Sequence, residues 1–118
     1  MEQPPGLTVV AVETDEIVGS AKMGLNRPGR GSHVATASFM VDRAHRRRGV
    51  GRALGEYAMT WARDGGYAAM QFNAVVETNT AAVVLWPELG FEILATVPDT
   101  FDHCRHGRVG LLVMYRRL

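Results

Sequence analysis

The sequence predicts an α+β fold, a mixed central sheet with helices packed on its faces and the element order β-β-β-α-β-α-β-β. Three observations carry this. Short apolar, β-branched stretches with two-residue alternation recur along the chain. The apolar period changes to that of a helix in only two places. Clusters of Gly, Asn, Asp and Pro separate the stretches. At 118 residues the chain is read as a single domain, 1–118, with enough length for one core.

Taken in order, residues 7–12 are apolar and β-branched, Thr14-Asp15-Glu16 is a tight turn, and 17–25 return as the second strand of a hairpin. Residues 26–32 hold Pro28, Gly29 and Gly31 and form a loop. A third strand, 34–41, puts Ala35, Ala37, Phe39 and Val41 on one face and Thr36, Ser38 and Met40 on the other. In 50–63, Val50, Leu54, Tyr57, Ala58 and Trp61 fall on one helical stripe, and Gly65-Gly66 stops the helix. Residues 67–76 are a fourth strand. Thr78 or Asn79 caps a second helix through Leu89, ended by Gly90. Pro87 lies inside that helix, where a lost hydrogen bond and ring crowding cost roughly 3 kcal/mol, so a kink or an end is expected there. Residues 91–97 and 109–115 are the last strands, joined by a polar loop with Asp102, His103, His106 and Gly107.

Composition removes several function classes. The 47% apolar and 21% charged content is that of a soluble globular chain. A net charge of +1 argues against a nucleic-acid binder, because the basic residues are local rather than a general field. Cys104 is the sole cysteine, so neither an intrachain disulfide nor a cysteine-based zinc site is expected. His103 and His106 lack a carboxylate cluster, and no metal is expected. Residues 1–6 are polar and contain prolines, and no apolar run reaches spanning length. The expectation is a cytoplasmic protein without a membrane partner.

The chemistry concentrates between Val41 and Leu54. A strand ends in the basic run His45-Arg46-Arg47-Arg48, and Gly49-Val50-Gly51 then opens a helix. Amides at a helix start carry partial positive charge and draw anions. Glycine lets the backbone approach phosphate oxygens, and arginine adds bidentate contacts. This corner suits a pyrophosphate. A Walker loop is excluded because no Gly-Lys-Ser/Thr string occurs. The dinucleotide fingerprint is a poor match: residues 42–48 separate the strand from Gly49, and no acid stands about 20 residues on.

Arg46-x-x-Gly49-x-Gly51 followed by Arg52-Ala53-Leu54 resembles the acetyl-CoA-binding motif of the GNAT superfamily of N-acetyltransferases. The block Asn79-Thr80-Ala81-Ala82-Val83-Val84-Leu85-Trp86-Pro87-Glu88-Leu89-Gly90-Phe91 is similar to that family's Asn-x-x-Ala-x-x-Leu-aromatic-x-x-x-Gly-Phe segment. The spacing between the blocks and the element order agree from about Thr8 onward.

The resemblance implies acetyl-CoA as cosubstrate. The amides of Arg47, Arg48, Gly49, Val50, Gly51 and Arg52 would hold its pyrophosphate, with Arg46 at the family's Gln/Arg position. Phe39, Met40 and Val41 would pair with the pantetheine arm where two strands splay apart. Asn79 would bond that arm, a role compatible with helix capping, and Ala82 would leave room for it. Trp86 stands where family members often carry an acidic tyrosine, so it shapes the pocket or belongs to the core. The reaction is direct attack of a primary or secondary amine of a small molecule or amino acid, aided by orientation, backbone hydrogen bonds and proton transfer.

Asn73, a polar residue within an apolar strand, is a candidate for the acceptor pocket, weighed against a cross-strand hydrogen bond. Glu77 is a candidate base, weighed against a surface carboxylate. Asp42, Tyr115 and His33 rank lower. The family's opening strand and two helices are not seen before Leu7. The resemblance then implies a bare sheet edge near 7–12 and a homodimer, with strand exchange through 109–115 as one route. The alternative function is a catalytically silent acyl-CoA-binding module.

Overall fold

A computed structural model describes residues 6–27, 29–42 and 49–118. Its elements are β1 (Leu7–Glu13), β2 (Glu16–Leu25), a 3-10 turn at Gly29–Gly31, β3 (Val34–Val41), α1 (Val50–Asp64), β4 (Ala69–Val76), α2 (Thr80–Glu88), β5 (Glu92–His103) and β6 (Gly107–Arg117). The strands form one six-stranded sheet in the order β1-β2-β3-β4-β6-β5. The β1–β2, β2–β3 and β5–β6 pairs are antiparallel and β3–β4 is parallel, so the sheet is mixed as predicted. The chain divides into two compact units, Met1–Met70 with Arg117–Leu118, and Gln71–Arg116.

In the first unit, β1 and β2 form a hairpin closed by Thr14 and Asp15, with φ of 50° and 63°. A two-residue loop needs positive φ at both positions to follow the twist of its strands, and a β-branched threonine adopts it at some cost. Helix α1 packs on β2 and β3. Ala21, Ala35, Ala58 and Ala62 are almost wholly buried, with Met23, Leu54 and Met59 filling the space around them. Small side chains let the helix lie close to the sheet.

The buried face of α1 differs from the expected stripe. It comprises Leu54, Gly55, Ala58, Met59 and Ala62, whereas Tyr57 is 51% exposed. The smaller Ala62 and flexible Met59 face inward instead. After the helix, Trp61 and Tyr67 stack at 5.3 Å. Tyr67 and Ala68 bond Ala62 and His33 through their amides, so β4 begins at Ala69, two residues later than its β-rich sequence suggests.

The second unit has its own core of Phe72, Val75, Trp86, Leu89, Phe91, Val109, Leu112 and Met114. Helix α2 contains Pro87 and ends at Glu88, close to where the proline is expected to kink or end it. Carbonyls at its end have partners: the Leu89 and Phe91 amides donate to Trp86 O, and Arg116 Nη1 of β6 donates to Leu89 O.

The final hairpin is longer than expected. β5 continues through Pro98 to His103, and the expected polar loop shrinks to a turn at residues 104–106. β5 lies at the end of the sheet order, and an edge strand tolerates a proline that donates no hydrogen bond. The register shifts between Val97 and Phe101, with Asp99 at φ 57° and Thr100 Oγ1 donating to Val97 O at 2.8 Å. The tip is organised by His103 Nδ1, which accepts from the amides of Arg105 (3.0 Å) and His106 (3.2 Å). No helix is long and apolar enough to cross a membrane, among the described residues.

Candidate functional site

The corner read from sequence as an anion site falls in the first unit. Gly49 is the N-cap of α1 with φ 77° and ψ 8°. A β-carbon there would meet nothing within 4 Å, so glycine is required by conformation and not by space. The first intrahelical bond runs from the Ala53 amide to Gly49 O at 3.0 Å. The amides of Val50 and Gly51 lie ahead of it, in a first turn that has no acidic residue and no side-chain cap among the described residues. A helix start that carries its positive end without a competing carboxylate is suited to an anion. Arg52 is exposed in the same turn. Arg46, Arg47 and Arg48 lie outside the described residues.

Beside this corner, β3 ends at Phe39, Met40 and Val41, which pair with Ala21, Ser20 and Gly19 of β2. Met40 is 76% exposed, whereas Phe39 and Val41 are half-buried, which is the alternation read from sequence. The parallel register of β3 with β4 includes Val34↔Ala69 and Ala35↔Met70, at the first two residues of each strand.

In the second unit Asn79 caps α2, its Oδ1 accepting from the Ala82 amide at 3.2 Å. Ala82 is half-buried. Trp86 is 5% exposed and meets Phe72 edge-on at 4.8 Å and Phe91 at 6.1 Å, while Phe72 and Phe91 stack at 4.3 Å. These contacts make Trp86 a core residue.

The candidate acceptor-site and proton-transfer residues have other partners. Asn73 is exposed, and its Oδ1 accepts from Gln71 Nε2 at 2.9 Å, a bond along one face of β4. Glu77 Oε1 accepts from the Gly110 amide at 2.8 Å, and the Glu77 amide donates to Gly110 O at 3.1 Å. This reciprocal pair ties the end of β4 to β6. His33 Nδ1 lies 3.1 Å from Arg30 O. Among the described residues no group of three or more His, Cys, Asp or Glu is arranged to hold a metal.

One residue near the corner is not singled out by sequence. Gly19, in β2, packs against the start of α1, and the signal that marks it is a glycine inside an apolar strand.

The sequence model of the acetyltransferase (GNAT) family matches residues 1–91. N-acetyltransferase aca1 of Schizosaccharomyces pombe is 30% identical over 96 residues, 80% of this chain and 46% of that protein. The chain thus spans less than half the length of that relative. A GCN5-related N-acetyltransferase from Kribbella flavida is 56% identical, covering 100% of this chain and 71% of that one with a TM-score of 0.91. The structure of yncA from Salmonella typhimurium, with its cofactor acetyl-CoA, is 28% identical and covers 96% of this chain and 65% of that one, with a TM-score of 0.82. The family match, the sheet order and the glycine-capped opening of α1 agree: the chain belongs to the acetyltransferase (GNAT) family.

Proposed function

We propose that this chain is an acetyl-CoA-dependent N-acetyltransferase whose acceptor is a primary or secondary amine of a small molecule or amino acid. The observation that carries the reading is the acid-free first turn of α1 behind a left-handed Gly49, in a chain of this family. The amides of Val50 and Gly51, with Arg52, hold the pyrophosphate, supported there by the lack of an acid in the turn. The family pattern assigns the main chain of Phe39, Met40 and Val41 to the pantetheine arm. The family pattern assigns Asn79 and Ala82 to the same arm.

When bound, acetyl-CoA supplies an activated acyl group. The amine lone pair forms the new C–N bond, the C–S bond breaks with its electrons on sulfur, and the amine loses a proton. Glu77 is the candidate group for holding or moving that proton, and Asn73 is a candidate for binding the acceptor by hydrogen bonding, since an amide is no base. Glu77 keeps one carboxylate oxygen outside its bond to Gly110. The indole of Trp86 is not an acid, so the thiolate leaves without a proton from position 86.

Calorimetry with acetyl-CoA tests the binding step, and a thiol-release assay over amines and amino acids tests turnover. Saturable binding together with amine-dependent thiol release is expected. Binding with no amine-dependent release across the panel would instead establish a silent acyl-CoA-binding module.

A homodimer and a cytoplasmic location belong to the same reading. β1 and β5 end the sheet order, and Val10, Val12 and Ile17 in the first unit and Ile93, Leu94, Val97 and Phe101 in the second are exposed apolar side chains. Bare edges and apolar patches are normally covered. Light scattering across a concentration series is expected to give twice the chain mass, and an active monomer at micromolar concentration refutes the dimer. The single, exposed Cys104 suits a reducing compartment.

A further inference from the structure

We propose that Gly19 is a positioning residue for acetyl-CoA, holding the start of α1 and the end of β3 at the separation the pyrophosphate-binding turn requires. This rests on the reading of that turn given above. A β-carbon on residue 19 would lie 2.9 Å from Val50 Cγ1, 3.0 Å from the Met40 carbonyl oxygen and 3.1 Å from Leu54 Cδ1. Every one of those neighbours belongs to a segment placed on the cofactor or to the turn behind it. Val50 is the first residue of α1 and its amide lies ahead of the first intrahelical bond. Met40 lies on the strand end assigned to the pantetheine arm. Leu54 is 4% exposed and anchors the first turn in the core.

None of the three can yield cheaply. Val50 is β-branched and stiff at its first side-chain torsion. The Met40 oxygen is main chain, fixed by the antiparallel register Gly19↔Val41 and Ser20↔Met40. Leu54 is held in a close-packed interior. Residue 19 needs glycine for space and not for conformation, since its φ lies outside the left-handed region. A methyl group there therefore moves the helix start away from the strand, and an anion site built from amides loses its alignment with a small shift.

The test is Gly19→Ala, with Gly24→Ala as the control in the same strand. A β-carbon at residue 24 would meet only Gly6 Cα, at an ordinary 3.7 Å. Calorimetry with acetyl-CoA on folded protein is expected to show Gly19→Ala weakened by about tenfold, the worth of one charge-assisted hydrogen bond, and Gly24→Ala within about twofold of the parent. Once an acceptor is in hand, the KM for acetyl-CoA rises in Gly19→Ala while kcat at saturation stays put.

Trimming the neighbour provides the second arm. In a Val50→Ala background the contact with Cγ1 is removed while those with the Met40 oxygen and Leu54 Cδ1 remain, and the loss caused by Gly19→Ala shrinks to about threefold. A Gly19→Ala protein that binds acetyl-CoA like its parent overturns the proposal. So does an equal loss in both Val50 backgrounds, which would mean that residue 19 does not act through the start of α1. A parent protein that fails to bind acetyl-CoA overturns the underlying functional reading instead.

Discussion

Gly51→Glu is expected to abolish acetyl-CoA binding while leaving the fold intact. Gly51 is the second residue of α1, in a first turn with no acid. A carboxylate there meets the negative charge that the turn is proposed to hold. Two unit charges about 4 Å apart repel by about 4 kcal/mol at an effective dielectric constant near 20. That is roughly a thousandfold in affinity. The same substitution favours the helix itself, because an acid in the first turn complements the macrodipole and glutamate is a better helix former than glycine. The melting temperature should therefore hold steady or rise as binding disappears, which separates loss of the site from loss of structure. Calorimetry together with a thermal melt checks both halves. Undiminished affinity in a folded Gly51→Glu protein would remove the pyrophosphate from this turn.

What the sequence made legible was local. β3 has the bounds read from its alternation, and α1 starts at the residue after Gly49 as expected. Asn79 is a cap because the contact spans only three residues. The misreadings have tertiary causes. Tyr57 fits the helical stripe, yet the close approach of α1 to β2 and β3 favours Ala58, Met59 and Ala62 inside. Pro98, Asp99 and Thr100 look like a loop, but a strand at the sheet's edge accommodates them through a register shift. Glu77 is exposed, as the surface-carboxylate reading has it, but its bond to Gly110 is hidden from sequence because the two stand 33 residues apart. Gly19 is similar: the atoms that require a glycine belong to Met40, Val50 and Leu54, none of them near it in sequence.

Trp86 is where a family expectation and the packing are most easily separated. The residue stands at the place of the family's acidic tyrosine, yet it is 5% exposed and touches Phe72 and Phe91. If its work is packing, Trp86→Ala should cost about 3–5 kcal/mol, as buried aromatic truncations do. Phe72 and Phe91 would lose a ring edge from a cluster that aromatic geometry stabilises beyond its buried area. Against a total stability of about 5–15 kcal/mol, this endangers the folded state and lowers the melting temperature by more than about 10 °C. Trp86→Phe keeps an aromatic edge toward both neighbours and should lose only about 1–2 kcal/mol. Its acetyl-CoA-dependent turnover should stay within about tenfold of the parent, because no proton is asked of the indole. Urea denaturation of both variants and kinetics of Trp86→Phe decide the matter. A stable Trp86→Ala protein would deny the core role. A Trp86→Phe protein that binds acetyl-CoA normally but turns over orders of magnitude more slowly would give the indole a direct part in the reaction.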